Sequence, residues 1–200
     1  MAYVTPGTVA AGDVATAAAW NVLTNDVIDL DTRILDAPIL VYSNTITASS
    51  FTVDNVFTST YANYMMRVSV FGSVAEVMKM RMRVGGVASA SGYYMSGVLI
   101  SYAASSVTGV NDTNAAFWSS RFLHSDTGAA TRSVCSMDVF GPQIVCNTAV
   151  SGLFTDPRTN GSSGPFSGFH NSNASYDGFE ITAPTGTLTG SIRVYGLPNS

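Results

Sequence analysis

Apolar positions along the chain follow two different periods. From residue 16 they recur at helical spacing: Thr16 offers an N-cap, Ala17, Ala18 and Ala19 fill a first turn, and Trp20, Leu23, Val27, Leu30 and Ile34 follow at intervals of three and four. That stripe predicts one short α-helix ending near Asp36-Ala37, because Pro38 drives its predecessor out of helical geometry. The stretch before it, residues 1–15, is small and turn-prone and reads as an extended arm. From Ile39 onward the period becomes two. Met78, Met80, Met82 and Val84 alternate with Val77, Lys79, Arg81 and Arg83, and Leu188, Ile192 and Val194 alternate with Thr187, Thr189, Ser191, Arg193 and Tyr195. Such alternation means one buried and one solvated face, the mark of antiparallel sheets.

Strands are expected at 39–47, 50–58, 63–71, 77–84, 92–102, 115–124, 133–140, 143–150, 177–183 and 187–196, punctuated by Gly, Pro, Asn and Ser. Many short strands without further helices predict a mainly β chain: an antiparallel, jelly-roll-like β-sandwich over 38–200, preceded by an arm and helix over 1–37. The stretch Asp156–Asn173, rich in Gly, Ser and Asn, is expected as a surface loop. Cys135 and Cys146 flank an expected hairpin at Gly141-Pro142. If Phe140 pairs with Gln143, Cys146 falls opposite Met137 and diagonal to Cys135, so both are expected as buried free thiols rather than a disulfide. Met65, Met66, Met78, Met80, Met82 and Met95 read as core filling.

The helical stripe admits two readings: an amphipathic helix packed on its own domain, or a short parallel bundle of identical chains. Two heptads are marginal alone, so a bundle would need support from the domain that follows.

Composition narrows the class. The 200 residues are 46% hydrophobic but only 11% charged, far below the roughly 25% charged share of an average domain. Abundant apolar and aromatic residues exclude disorder. No apolar run is long enough to span a bilayer, and a net charge of −4 disfavours nucleic acid as partner. Residues 1–38 carry Asp13, Asp26, Asp29, Asp31 and Asp36 against Arg33, whereas residues 39–200 carry eight acids and eight cations. The acidity therefore belongs to the N-terminal segment, which implies different partners for the two parts. The start carries no basic or apolar leader, so synthesis in a cytoplasm is expected.

Chemistry is sparse. His124-Ser125-Asp126 has the residue types of a triad, but neighbours on a strand point to opposite faces. Glu76 and Glu180 are the only glutamates, and the Asp residues of the β region sit mostly beside turn residues, which disfavours a glycosidase pair. No phosphate loop, dinucleotide fingerprint or zinc spacing is present, so no enzyme activity, cofactor or metal is expected. Lys79, Arg81 and Arg83 line one strand face. They read either as a solvated face with cross-strand acids or as a contact for an acidic partner: another subunit, the acidic helix region or an anionic glycan. Asp156, Arg158, Asn160, His170, Asn171 and Asn173 are the expected receptor-facing residues of the 156–173 loop.

Residues 1–36, through Val4-Thr5-Pro6-Gly7-Thr8-Val9 and Thr16-Ala17-Ala18-Ala19-Trp20-Asn21-Val22-Leu23-Thr24-Asn25-Asp26, resemble the N-terminal segments of tailed-bacteriophage fibre and minor tail proteins. The β region resembles a recurring domain of the same virion proteins. The matching stretches are Phe51-Thr52-Val53-Asp54-Asn55-Val56-Phe57, Tyr61-Ala62-Asn63-Tyr64, Arg81-Met82-Arg83-Val84-Gly85-Gly86, Tyr176-Asp177-Gly178-Phe179 and Gly186 through Leu197. The resemblance implies a homotrimer on the virion surface, with Trp20, Leu23, Val27, Leu30 and Ile34 at the trimer seam. It also implies an N-terminal segment that docks on other virion proteins or trimerises and a β-sandwich displayed outward. A host surface glycan is a candidate partner for the surface loops, chiefly 156–175. It carries over no catalytic residue. Many such fibres are far longer. The size suits a short tail fibre or spike, with a capsid decoration protein or head fibre at threefold sites as one alternative and a lectin-like module as another.

Overall fold

The computed structural model describes residues 21–22, 25, 37–119, 123–158 and 160–199. The chain divides into two units, Met1–Ala37 and Pro38–Ser200. In the first, Asn21, Val22 and Asn25 are helical and exposed. The arm and the seam residues Trp20, Leu23, Val27, Leu30 and Ile34 lie outside the described residues.

The second unit is an antiparallel β-sandwich. Its strands are β1 (Ile39–Ala48), β2 (Ser50–Val53), β3 (Asn63–Gly72), β4 (Glu76–Val77), β5 (Lys79–Val84), β6 (Val87–Ala88), β7 (Tyr93–Ser101), β8 (Val107–Ala115), β9 (His124–Ser125), β10 (Ser133–Phe140), β11 (Cys146–Thr155), β12 (Ser162–Ala174), β13 (Gly178–Thr182) and β14 (Leu188–Leu197). Eight form one sheet in the order β1-β14-β3-β10-β11-β12-β7-β8. Four form a second, β2-β13-β5-β6, and β4 pairs with β9. The first strand pairs with the last, and the second with the one before the last. That is the inward wrapping of a jelly roll, although the two sheets are unequal.

The alternating residues explain the packing. Met78, Met80 and Met82 turn inward from the smaller sheet, and Tyr64, Met66, Val68, Leu188, Ile192 and Val194 from the larger; all are buried. Burying each large side chain contributes about 1.5–3 kcal/mol. Rings bridge the layers: Tyr42 lies 6.1 Å from Phe51, and Phe57 lies 4.8 Å from Tyr64 and 5.8 Å from Phe179. The backbone N–H of Met82 donates to the Tyr93 hydroxyl across the sandwich at 2.8 Å.

Four expectations are corrected. The Asp156–Asn173 stretch is not a loop: β12 occupies Ser162–Ala174 between β11 and β7. Its inward positions are Gly164, Phe166, Gly168 and His170, and a Cβ at Gly164 or Gly168 would overlap the Val98 or Tyr94 carbonyl oxygen of β7. Small residues that look like turn signals are here what lets β7 come close. The ladder to β7 also skips Pro165, which has no N–H to give it.

The strand expected at 115–124 is displaced. β8 covers 107–115 as the edge of the larger sheet, Trp118 makes a single bridge to Met80, and β9 begins at His124. The Gly, Asn and Asp residues of β8 imitate a turn, yet suit an exposed edge. The strand expected at 50–58 stops at Val53. Asn55 turns the chain at φ +58°, while Val56 and Phe57 remain in the core. Finally, Phe140 pairs with Ala149, not Gln143, and Cys146 pairs with Ala174. Both thiols are free. Cys135 is buried, and burial pushes its thiol pKa well above the usual value, whereas Cys146 is half-buried.

Candidate functional site

The cationic stripe on β5 is spent inside the sheet. Arg81 and Arg83 each reach the Glu180 carboxylate of β13 at 3.2 Å, and Arg83 also holds Asp54 at 2.7 Å. The hydrogen bond to Asp54 is the largest factor raising the Arg83 pKa above its usual value. Lys79 lies over the Phe117 ring at 4.4 Å. Arg81 and Arg83 thus meet acids within the domain, as in the reading of a solvated face with cross-strand acids, whereas Lys79 meets a ring.

The residues expected on a receptor loop separate. His170 is buried beneath the sheet. Its Nε2 lies 2.8 Å from the Ser91 carbonyl and its Nδ1 lies 2.7 Å from the Tyr176 hydroxyl. Asp156 is also buried and accepts from Arg158 Nε at 2.8 and 3.0 Å, while Arg158 Nη2 lies 2.9 Å from His124 Nδ1. This cluster closes the turn between β11 and β12 against β9. Asn160, Asn171 and Asn173 are exposed. His124, Ser125 and Asp126 do not converge as a triad: the Ser125 hydroxyl donates to the Val74 carbonyl at 2.8 Å, and His124 turns toward Arg158. Among the described residues no three His, Cys, Asp or Glu side chains gather as a metal site.

The strongest candidate surface is the outer face of the eight-stranded sheet. Two shallow grooves lie on it. The first, about 340 Å³, runs over β14, β3, β10 and β11 and is lined by Arg67, Arg193, Ser136, Thr155, Val134 and Leu153 among others. Arg67 and Arg193 are register partners on adjacent strands, so two like charges stand directly opposite one another. Arg67 Nη1 donates to Ser136 Oγ. The second groove, about 560 Å³, runs over β10, β11, β12, β7 and β8. Tyr94 and Phe169 stack in it, with centroids 4.8 Å apart and planes within 4°, and Phe140, Ser96, Ser151, Asn111 and Asp112 are among its other lining residues. The Asp112 carboxylate accepts from Ser119 N at 2.8 Å.

Sequence patterning placed Arg193 on the exposed side of its strand. The Arg67–Arg193 and Tyr94–Phe169 pairings need the register of β14 on β3 and of β12 on β7. No local signal in the chain carries the second of these, because β12 reads as a loop.

No family model matches the chain, and no curated protein matches it. Among solved structures the chain is similar to galectin LEC-6 of Caenorhabditis elegans. The identity is 8%, the match covers 76% of this chain and 94% of that one, and the TM-score is 0.36. At that score the likeness carries no argument about fold or function.

Proposed function

We propose that this chain is a non-enzymatic structural protein of a bacteriophage virion: a homotrimeric, tail-associated short fibre or spike, made in the host cytoplasm and displayed on the particle surface. Residues 1–37 would attach and trimerise it, and residues 38–200 would face outward. The resemblance in both parts of the sequence leads to this reading. The observation that carries it physically is an apolar end of the sandwich. Val84, Val87, Phe140, Ile144 and Val145 are exposed there, at 46%, 68%, 40%, 51% and 70%. They are brought together because Tyr176 N donates to Pro142 O and Asp177 N to Arg83 O. Ile39, Leu40 and Val41, where β1 begins, are exposed as well. A freely soluble monomer rarely shows such a surface, and an assembly covers it.

Gold-labelled antibody against the chain, applied to purified particles, tests the reading. Label at the tail supports it. Label on the capsid faces points instead to a decoration protein or head fibre, and absence from the particle contradicts any virion role. Replacing Val87 and Val145 by Lys should abolish incorporation while leaving the sandwich folded by circular dichroism.

A second reading, a lectin-like contact with a host glycan, is favoured by the stacked Tyr94–Phe169 pair and the polar groups around it, the Ser96 and Ser151 hydroxyls, the Asn111 amide and the Asp112 carboxylate. The ring face left open on such a stack suits a sugar's apolar face, and the polar groups beside it suit the hydroxyl edge.

A further inference from the structure

We infer that the outer face of the eight-stranded sheet takes an acidic saccharide, its carboxylate or phosphate held between Arg67 and Arg193. The inference rests on the glycan-contact reading above and not on the assembly reading.

Among the described residues, Lys79 and Arg132 lie over rings, Arg81 and Arg83 share Glu180, Arg83 also holds Asp54, and Arg158 holds Asp156. Arg67 and Arg193 meet neither a carboxylate nor a ring among the described residues. They are also the two placed opposite one another, an arrangement that costs stability unless an anion joins them. Two guanidinium groups can grip one carboxylate or phosphate with several charge-assisted hydrogen bonds. The groove around them supplies hydroxyls from Ser136, Thr155 and Ser191 for the uncharged body of a ligand. Asp138 is the nearest acid on this face. It pairs with Met65, one row from Arg67, and forms no ion pair with either arginine.

The same face then runs to the aromatic groove. Arg67 on β3 and Tyr94 on β7 are four strand spacings apart across the sheet, about 19 Å, and four residues apart along it, about 13 Å, which makes roughly 23 Å in all. An extended oligosaccharide can occupy both grooves at once, with its anion on the arginines and a sugar ring on Tyr94 and Phe169. A nucleic acid does not fit, because its regular phosphates require a run of cations and this face offers two.

Calorimetric titration of the full chain tests this with three probes: oligogalacturonate, a phosphorylated mannan oligosaccharide and a neutral galacto-oligosaccharide of equal length. At least one acidic probe should bind, with the neutral one weaker by about tenfold or more. Whichever acidic probe binds more tightly identifies the anion. Arg67→Gln and Arg193→Gln should each weaken acidic binding by about tenfold or more, Arg193→Lys should restore part of it, and Asp138→Asn should tighten it. Added salt should weaken it. Thermal melts matching the wild type confirm that the variants remain folded. Unchanged acidic binding in both arginine variants overturns the inference. Equal binding of the neutral probe, lost only on Tyr94→Ala or Phe169→Ala, overturns it while leaving the glycan-contact reading standing. No binding of any probe overturns both.

Discussion

His170 shows how a polar residue is held in this core. It packs 4.2 Å from Tyr93 and 5.2 Å from Tyr176, ring centroid to centroid. With the Ser91 carbonyl accepting from Nε2, the neutral ring takes its second bond from the Tyr176 hydroxyl at Nδ1. Burial lowers its pKa below the ordinary 6.5, against a smaller opposing effect of the Ser91 bond. The sign follows. Below about pH 6.5 the unfolded chain binds the proton more readily than the folded one. The stability due to neutral His170 is therefore complete above that pH and declines as pH falls toward the folded value. Urea titrations at pH 7.5 and 5.5 should show a loss of stability on acidification that is smaller in His170→Gln. An identical pH dependence in the variant would contradict the assignment. From sequence alone His170 looked like an exposed loop residue, because the Gly, Ser and Asn around it carry turn character and its partners Ser91 and Tyr176 come from other segments. Lys79, Arg81 and Arg83 were legible as one strand face, but their acids, Glu180 and Asp54, are 99 and 29 residues or so away, and only the sheet joins them.

Clear alternation made β5 and β14 legible, and its lack hid β12. In β5 Met80 and Met82 trade places with Lys79, Arg81 and Arg83, and in β14 Leu188, Ile192 and Val194 trade places with Thr189, Ser191 and Arg193. β12 shows no such pattern, because its inward side is Gly164, Phe166, Gly168 and His170 and its outward side includes Pro165. Its identity is set by the two neighbours that pair with it, a tertiary effect that overrides local propensity. Two outcomes follow for this element. The amides of β12 paired in the ladders should exchange with solvent as slowly as those of β10 by native-state hydrogen exchange, whereas a loop would exchange orders of magnitude faster. Gly164→Ala should be strongly destabilising, by about 2–4 kcal/mol, since the added methyl has only the Val98 carbonyl to displace. An unchanged melting midpoint would contradict the close approach of β12 and β7.

At the scale of the molecule, scarcity of charge takes on a location. Within residues 39–200 acids and cations balance, and most described cations are consumed inside the sandwich. The surface left over is neutral, rich in hydroxyls, apolar at one end and doubly cationic at Arg67 and Arg193. Such a surface resists aggregation poorly by repulsion alone and is better suited to a particle on which many of its parts are covered. Multiple copies would also turn a weak glycan contact into a strong one through avidity. On the proposed reading, the helix expected between Thr16 and Asp36 and the apolar end would both serve self-association. The measurement that tests this most directly is the mass of the full chain in solution, by light scattering at micromolar concentration. Three chains of 20.9 kDa predict a particle of about 63 kDa, reduced to a monomer by Leu23→Asp with Val27→Asp. A clean monomer of the unaltered chain, at the mass of one 20.9 kDa polypeptide, would contradict the trimer on which the account rests.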